Sequence, residues 1–432
     1  MAKSLDINVH HLTRVEGHGN IVVRASDGQV QKCVLEIVET PRVFESMIEG
    51  LRWQDTSLLT CRICGICSVS HTLASIQATD EAFGVELTPE AVTMRKLLCA
   101  AEVMQSHILH VYFLAAPDAY DAPSVIPLAS SHPDVVKRAL KLKKLANTIC
   151  AVLCGRHVHP ISLVPGGFTY VPPKRDLVEL KQFMADCEKD IDATVDTIAG
   201  VLDKFPAFER EREDLSLVRD DEYALYDGDI KSSKAGRIDH RDYPEFIKEK
   251  CLEHSTSKHV YNVEDSFAVG ALSRFNNNSA QLNERGVAAA TALGLEAPCY
   301  NPFMNNAAQV VESAHCYQEA VNCLDRLISM DLSEQTLAPN VVPTAGRGVG
   351  VTEAPRGLLI HDYTYDDAGV CTGANCVIPT GMNLGNIDRD MQTYVPQVID
   401  QRSQEQIAHD LEMIVRAYDP CISCSVHLLK VE

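Results

Sequence analysis

Two cysteine stretches near opposite ends of the 432-residue chain carry its clearest chemistry. Cys61-Arg-Ile-Cys64-Gly-Ile-Cys67 runs into Ser-Val-Ser-His71, and Asp419-Pro420-Cys421-Ile-Ser-Cys424 runs into Ser-Val-His427. Thiolates are soft donors, so two from each stretch make a four-sulfur nest for a soft transition metal. Most of the chain lies between the pairs, and the nest exists only if both ends converge in the folded molecule.

The residues alone leave three readings of that nest. A structural zinc would use four cysteines in a closed tetrahedron. An iron–sulfur cluster would also use four, although the usual ferredoxin spacings are absent. The third reading is a redox or hydride-handling metal. Zinc staples usually serve small units with poor cores, whereas 46% of this chain is hydrophobic, enough for a large core of its own. The pairs also sit among Glu16, His71 and Arg356. A closed site has no use for these groups, but a reactive metal can use a base, a sulfur-tuning hydrogen bond and a fixed cation.

The elements that must position these groups are mostly helical. Thr88-Pro89-Glu90 reads as an N-cap followed by proline at the first helical position. Leu97, Ala101, Met104, Ile108 and Val111 then recur at the spacing of a bundle seam. Further stripes run from Pro133 through Leu142, Leu145, Ile149 and Val152 to Gly155, and from Leu177 to Leu202. Cys99, Cys150, Cys154 and Cys187 fall in or beside these stripes and read as packed thiols. Helical patterns resume over 278–332, and a last helix carries Ile407, Leu411 and Ile414 to the second cysteine pair.

Strands are predicted near both ends. Ile21–Val23 and Val34–Ile37 flank the turn signal Asp27-Gly28, and Gly357–His361 and Cys376–Ile378 are short strand-like runs. The stretch Arg14-Val-Glu16-Gly17-His18-Gly19 reads, from its residues, as a surface loop with a salt bridge. Residues 206–262, charged and weakly periodic, read as a peripheral excursion. The expected fold is α+β and predominantly α, a long-helix bundle with small terminal β regions. It is expected to form one catalytic domain over 1–432: β-rich to about 60, helical over 68–205 and 278–332, mixed over 340–432.

A formal net charge of −20 without a basic run argues against nucleic acid and anionic membrane surfaces. Sixteen cysteines in so long a chain do not make the dense framework of a small secreted domain, which points to a reducing compartment. The N-terminus lacks the apolar core of a signal peptide. No run of residues approaches the ~18 apolar residues of a membrane span.

Taken together, the motifs resemble those of nickel–iron hydrogenase large subunits. The paired cysteine signatures carry the resemblance. Arg14–His18, Gly155-Arg-His157-Val-His159-Pro160, Gly270-Ala-Leu-Ser-Arg274, Glu353-Ala-Pro355-Arg356-Gly357 and Pro379-Thr380 follow in the family's order. A related subunit of respiratory complex I shares the fold without the metal cysteines. The resemblance implies a nickel–iron centre whose iron carries one carbon monoxide and two cyanides. Cys64 and Cys421 would bind nickel terminally, and Cys67 and Cys424 would bridge the metals. Dihydrogen would be split heterolytically, with a proton taken by Cys421 and passed to Glu16. His71 would hydrogen-bond a bridging sulfur. Arg356, paired with Asp419, would stand over the open site, Thr380 would bond a cyanide, and Leu359, Ile378 and Pro379 would wall the carbon monoxide.

Glu45, the Cys376 carbonyl and His427 would hold magnesium or a similar cation. The chain lacks cysteine sets for electron-relay clusters, so the resemblance implies an iron–sulfur small subunit. Its motif style is that of the cytoplasmic branch, feeding NAD(P) through diaphorase-like subunits, a deazaflavin, or a bifurcating partner. A hydrogen sensor and a structural zinc protein are the alternatives. Three departures from the family pattern stand out. Only Leu428–Glu432 follows the final histidine, where precursors commonly carry a longer extension. Gln105-Ser106-His107 stands where many members have an aspartate between two histidines. Cys61 is an extra thiol.

Overall fold

The computed structural model describes residues 4–26, 29–262, 266–337 and 339–426. The helical core forms as the stripes predict. Helix α1 spans Phe44–Ile48, α2 Trp53–Thr60, α3 Ser68–Ala82 and α4 Pro89–Leu109. At the start of α4 the Thr88 side chain accepts a hydrogen bond from the Ala91 N–H, and Pro89 follows the cap. Helices Pro133–Cys154 and Asn305–Ser329 pack against α4, Lys174–Ala199 packs against those two, and Gly155 ends the first of them in a left-handed conformation at φ 74°. The thiols of Cys99, Cys150, Cys154 and Cys187 lie in this core, and burial pushes that of Cys99 up to about 12. They are packed thiols, as expected. Among the described residues one helix, Pro89–Ala119, is long and apolar enough to cross a membrane, and 83% of its apolar window is buried inside the fold.

Strands β1 (Leu5–Val9), β2 (Gly19–Ser26) and β3 (Gln29–Ile37) form an antiparallel meander. The Asp27-Gly28 turn itself lies outside the described residues. Residues 206–262 differ from expectation. Ser255–Tyr261 adds to β3 in parallel and Lys248–Leu252 closes a five-stranded sheet, while Leu215–Val218 begins a second, three-stranded one. Charge there does not mean exposure, because Arg212, Asp214 and Lys258 are buried in ion pairs.

The C-terminal sheet is a meander of Gly346–Ala354, Gly357–Tyr365 and Cys371–Val377. Its first strand escaped the sequence pattern because three of its residues are glycines, which carry no apolar side chain to read. Their place explains them. A Cβ on Gly346, Gly348 or Gly350 would lie 2.6, 2.0 or 1.9 Å from the carbonyl oxygens of Ala82, Ala78 and Ala74. Glycine at every second strand residue thus meets every fourth residue of α3, and strand and helix touch backbone to backbone. This contact fixes the helix that follows Cys67 against the strand that leads to Arg356.

Candidate metal centre

The two ends of the chain meet. Cys67 caps α3, and Cys421 and Cys424 lie on a short turn after helix Gln404–Ala417. The Cys64 and Cys421 sulfurs are 3.4 Å apart, those of Cys67 and Cys424 3.5 Å, and all four lie within 4.8 Å of one another. All four cysteines are buried. Hydrogen bonds from Cys421, Cys424 and Cys67 hold Cys64 well below the ordinary thiol range, while burial pushes Cys421 and Cys424 up. Four thiolates so close need a cation among them.

Beside the sulfurs is a small cavity lined by Cys67, His71, Ala354, Arg356, Leu359, Ile378, Pro379, Thr380, Cys421 and Cys424. The sequence-predicted residues around the nest therefore come together. Arg356 donates through Nε to the Asp419 carbonyl (2.7 Å) and through Nη2 to Oδ1 of Asp419 (2.9 Å). Its Nη1 is buried with no partner. The Thr380 hydroxyl oxygen accepts from Cys421 N–H at 2.9 Å. Leu359, Ile378 and Pro379 give the cavity an apolar side. An unpaired cationic donor facing a soft-metal nest suits a metal that carries acceptor ligands of its own, which a closed zinc site lacks.

Glu16 is no surface loop residue. Its carbonyl accepts from Ile422 N–H at 2.9 Å, and its Oε2 lies 3.2 Å from Cys421 Sγ and 3.1 Å from Ser423 N. The Ser423 hydroxyl donates to the other carboxylate oxygen. The predicted salt bridge belongs to Arg14, which reaches Asp118 and the Leu114 carbonyl. Asp118 also pairs with Arg416, which ties the Glu16 loop to the helix before the second cysteine pair.

Arg356 sits on a braced turn. Gly357 (φ 130°) lies so close to Val269 that a Cβ would come within 2.5 Å of it. Arg274 spends all five N–H donors nearby: on Glu312 (2.7 and 2.6 Å), Glu353 (2.9 Å), and the Ala354 and Pro355 carbonyls (both 3.0 Å). The sequence around Arg274 does not reveal this task, nor are the parts of Glu312, Ser423 and Asp118 legible in it. Nothing in their local spacing marks them, because each partner is distant in the chain. Ser106 is buried with an unpartnered hydroxyl.

The expected cation site is partly described, since His427 lies outside the described residues. Glu45 Oε1 accepts from Cys376 N–H (2.9 Å), and Lys258 Nζ stands 2.8 Å from the same oxygen. The backbone N–H of Cys376 thus faces Glu45, and an ammonium already balances that carboxylate.

A family profile described as nickel-dependent hydrogenase matches residues 42–133 and 264–427. The chain belongs to this family. It is 31% identical over 430 residues to the alpha subunit of sulfhydrogenase 1 from Pyrococcus furiosus, with 99% of each chain covered. It is 30% identical to the beta subunit of the NAD-reducing hydrogenase HoxS from Cupriavidus necator, covering 97% of this chain and 94% of that one. A solved NAD+-reducing [NiFe]-hydrogenase in the H2-reduced state superposes with a TM-score of 0.87 at 29% identity, covering 98% and 99%. The protein is an oxidoreductase of dihydrogen, the large catalytic subunit of a [NiFe] hydrogenase. The expected predominantly helical α+β fold is the one found.

Proposed function

We propose that Cys64, Cys67, Cys421 and Cys424 hold a nickel–iron centre, Cys64 and Cys421 as terminal nickel ligands and Cys67 and Cys424 as bridges, with one carbon monoxide and two cyanides on iron. When bound, that centre supplies the open coordination position at which dihydrogen is polarised. The Cys421 sulfur takes one proton, and Glu16 receives it at Oε2, 3.2 Å away. Ser423 holds the Glu16 carboxylate in that pose by two hydrogen bonds. Arg356, kept charged by Asp419 despite burial, offers Nη1 as a cationic donor, and Thr380 offers its hydroxyl hydrogen. Leu359, Ile378 and Pro379 exclude water. Glu45, the Cys376 carbonyl and His427 are the candidate holders of a magnesium-like ion, which would share Glu45 with Lys258.

The whole chain acts as one catalytic domain in the cytoplasm. It passes electrons to an iron–sulfur small subunit and on through diaphorase-like or bifurcating subunits to a soluble acceptor such as NAD(P) or a deazaflavin. The names of relatives as subunits of NAD-reducing and F420-non-reducing enzymes support this reading. The observation that carries the proposal is the four-sulfur nest with Glu16 against one of its members. Infrared spectra in the cyanide and carbonyl region, with a nickel assay on the purified complex, test it. Two cyanide bands, one carbonyl band and stoichiometric nickel are expected; zinc without those bands refutes it.

A further inference from the structure

Strand alternation sets Leu359, His361 and Tyr363 on one face of Gly357–Tyr365, and that face leads away from the metal cavity. Leu359 lines the cavity. Two residues on, His361 Nε2 is 3.1 Å from Nδ1 of His71, and His361 Nδ1 is 2.5 Å from the Tyr363 hydroxyl. All three side chains are buried. The family resemblance gives His71 a hydrogen bond to a bridging sulfur and gives neither of the other two a role.

The direction of this wire follows from its far end. His361 Nδ1 is the hydrogen-bond partner of the Tyr363 hydroxyl among the described residues; the Ser75 hydroxyl beside the phenol has no partner of its own and can act on it only as a donor, lowering its pKa. Burial pushes the phenol well above its ordinary range, so it keeps its proton. A buried O–H that pointed elsewhere would lose its acceptor. Tyr363 therefore donates to His361 Nδ1. A neutral imidazole carries one N–H, so His361 must hold its proton on Nε2 and donate to His71 Nδ1. His71 in turn holds its proton on Nε2. Its Nδ1 is committed to His361, and its ring lines the cavity with Cys67 and Cys424. The nitrogen left for the sulfurs is Nε2.

We infer that Tyr363 and His361 are positioning residues that fix the tautomer of His71, so that it presents an N–H donor, rather than a lone pair, to the bridging thiolates. The reverse polarity would set a nitrogen lone pair against sulfur lone pairs. A donated hydrogen bond draws electron density from a bridging thiolate and so from the metals it joins. The inference rests on the nickel–iron reading of the nest.

The test uses the purified holoenzyme complex and the infrared bands of its iron ligands. Tyr363→Phe keeps the ring but removes the donor. It is expected to retain nickel and to shift the carbonyl band, or a second set of bands, to lower wavenumber. His361→Gln supplies an amide N–H to His71 Nδ1 without Tyr363, and is expected to keep the wild-type band position. Unshifted bands in a fully loaded Tyr363→Phe enzyme overturn the inference. If Tyr363→Phe fails to load, His361→Gln decides: wild-type bands support the inference, and shifted bands or failure to load overturn it. A wild-type complex lacking cyanide and carbonyl bands sinks the nickel–iron reading instead.

Discussion

Replacing Arg274 by lysine should loosen the turn that carries Arg356. The wild-type guanidinium is fully buried and fills five hydrogen bonds, two to Glu312, one to Glu353 and two to the carbonyls that precede Arg356. A lysine ammonium keeps the charge but has three donors. At least two acceptors are left unmet, and each buried orphan costs about 1–3 kcal/mol. Adjacent terms do not add fully, so a loss of about 2–4 kcal/mol is expected. Removing the charge as well, in Arg274→Met, leaves Glu312 and Glu353 uncompensated. Breaking a buried pair in this way costs about 3–5 kcal/mol before the orphaned carbonyls are counted. Stabilities of about 5–15 kcal/mol leave little after such a loss, so that variant should accumulate poorly. Denaturant midpoints of wild type and Arg274→Lys, alongside dihydrogen oxidation, measure both consequences. A Lys variant with a wild-type midpoint would refute the idea that this network braces the turn. Wild-type turnover with a lowered midpoint would show that the brace serves folding alone.

The remaining predictions concern other parts of the molecule. Glu16→Gln should keep its nickel, because it is no ligand, while dihydrogen oxidation falls about 10²–10⁴-fold, the usual contribution of a positioned proton acceptor; turnover close to wild type would contradict the assigned role. Gly350→Ala should prevent soluble expression or metal loading, since its Cβ would stand 1.9 Å from a helix carbonyl that cannot move alone; a normal holoenzyme would count against the backbone contact. Burial raises the Asp388 carboxyl from 3.8 to about 7, although it accepts from Leu35 N–H. The folded state therefore binds this proton more tightly, and the stability it lends is complete below pH 3.8 and lost as pH rises through about 7. The difference between the two values corresponds to about 4 kcal/mol. Asp388→Asn should flatten the decline in denaturant midpoint across that range, and an unchanged slope would exclude Asp388 as its source.

Much of this centre could be read before the structure, and the reason is local chemistry. Two C-x-x-C stretches advertise ligands by type and spacing, and Thr88-Pro89 and the Leu97–Val111 stripe advertise a helix start and a seam. Glu16 was legible only through resemblance, because its neighbours suggest an ordinary salt bridge and its partner sulfur is 405 residues away. The glycine strand beside α3 was invisible for the opposite reason: its purpose is the absence of a side chain. Residues 206–262 mislead because charge there does not mean exposure: Lys258 is neutralised by Glu45 from a distant segment, and Arg212 is buried against Asp214 two residues on. Sequence patterning records what an element needs from its own neighbours, and it is silent about pairings between distant segments.

The 357-residue interval between Cys64 and Cys421 also sets a schedule for the cell. At ribosomal speeds of about 5–20 residues per second, the first pair of thiols waits on the order of half a minute before its counterpart exists. For that time it is half a chelate, open to zinc or oxidants. A metal that takes all four thiols therefore waits until Cys421 and Cys424 have been made and have been buried beside Cys64 and Cys67.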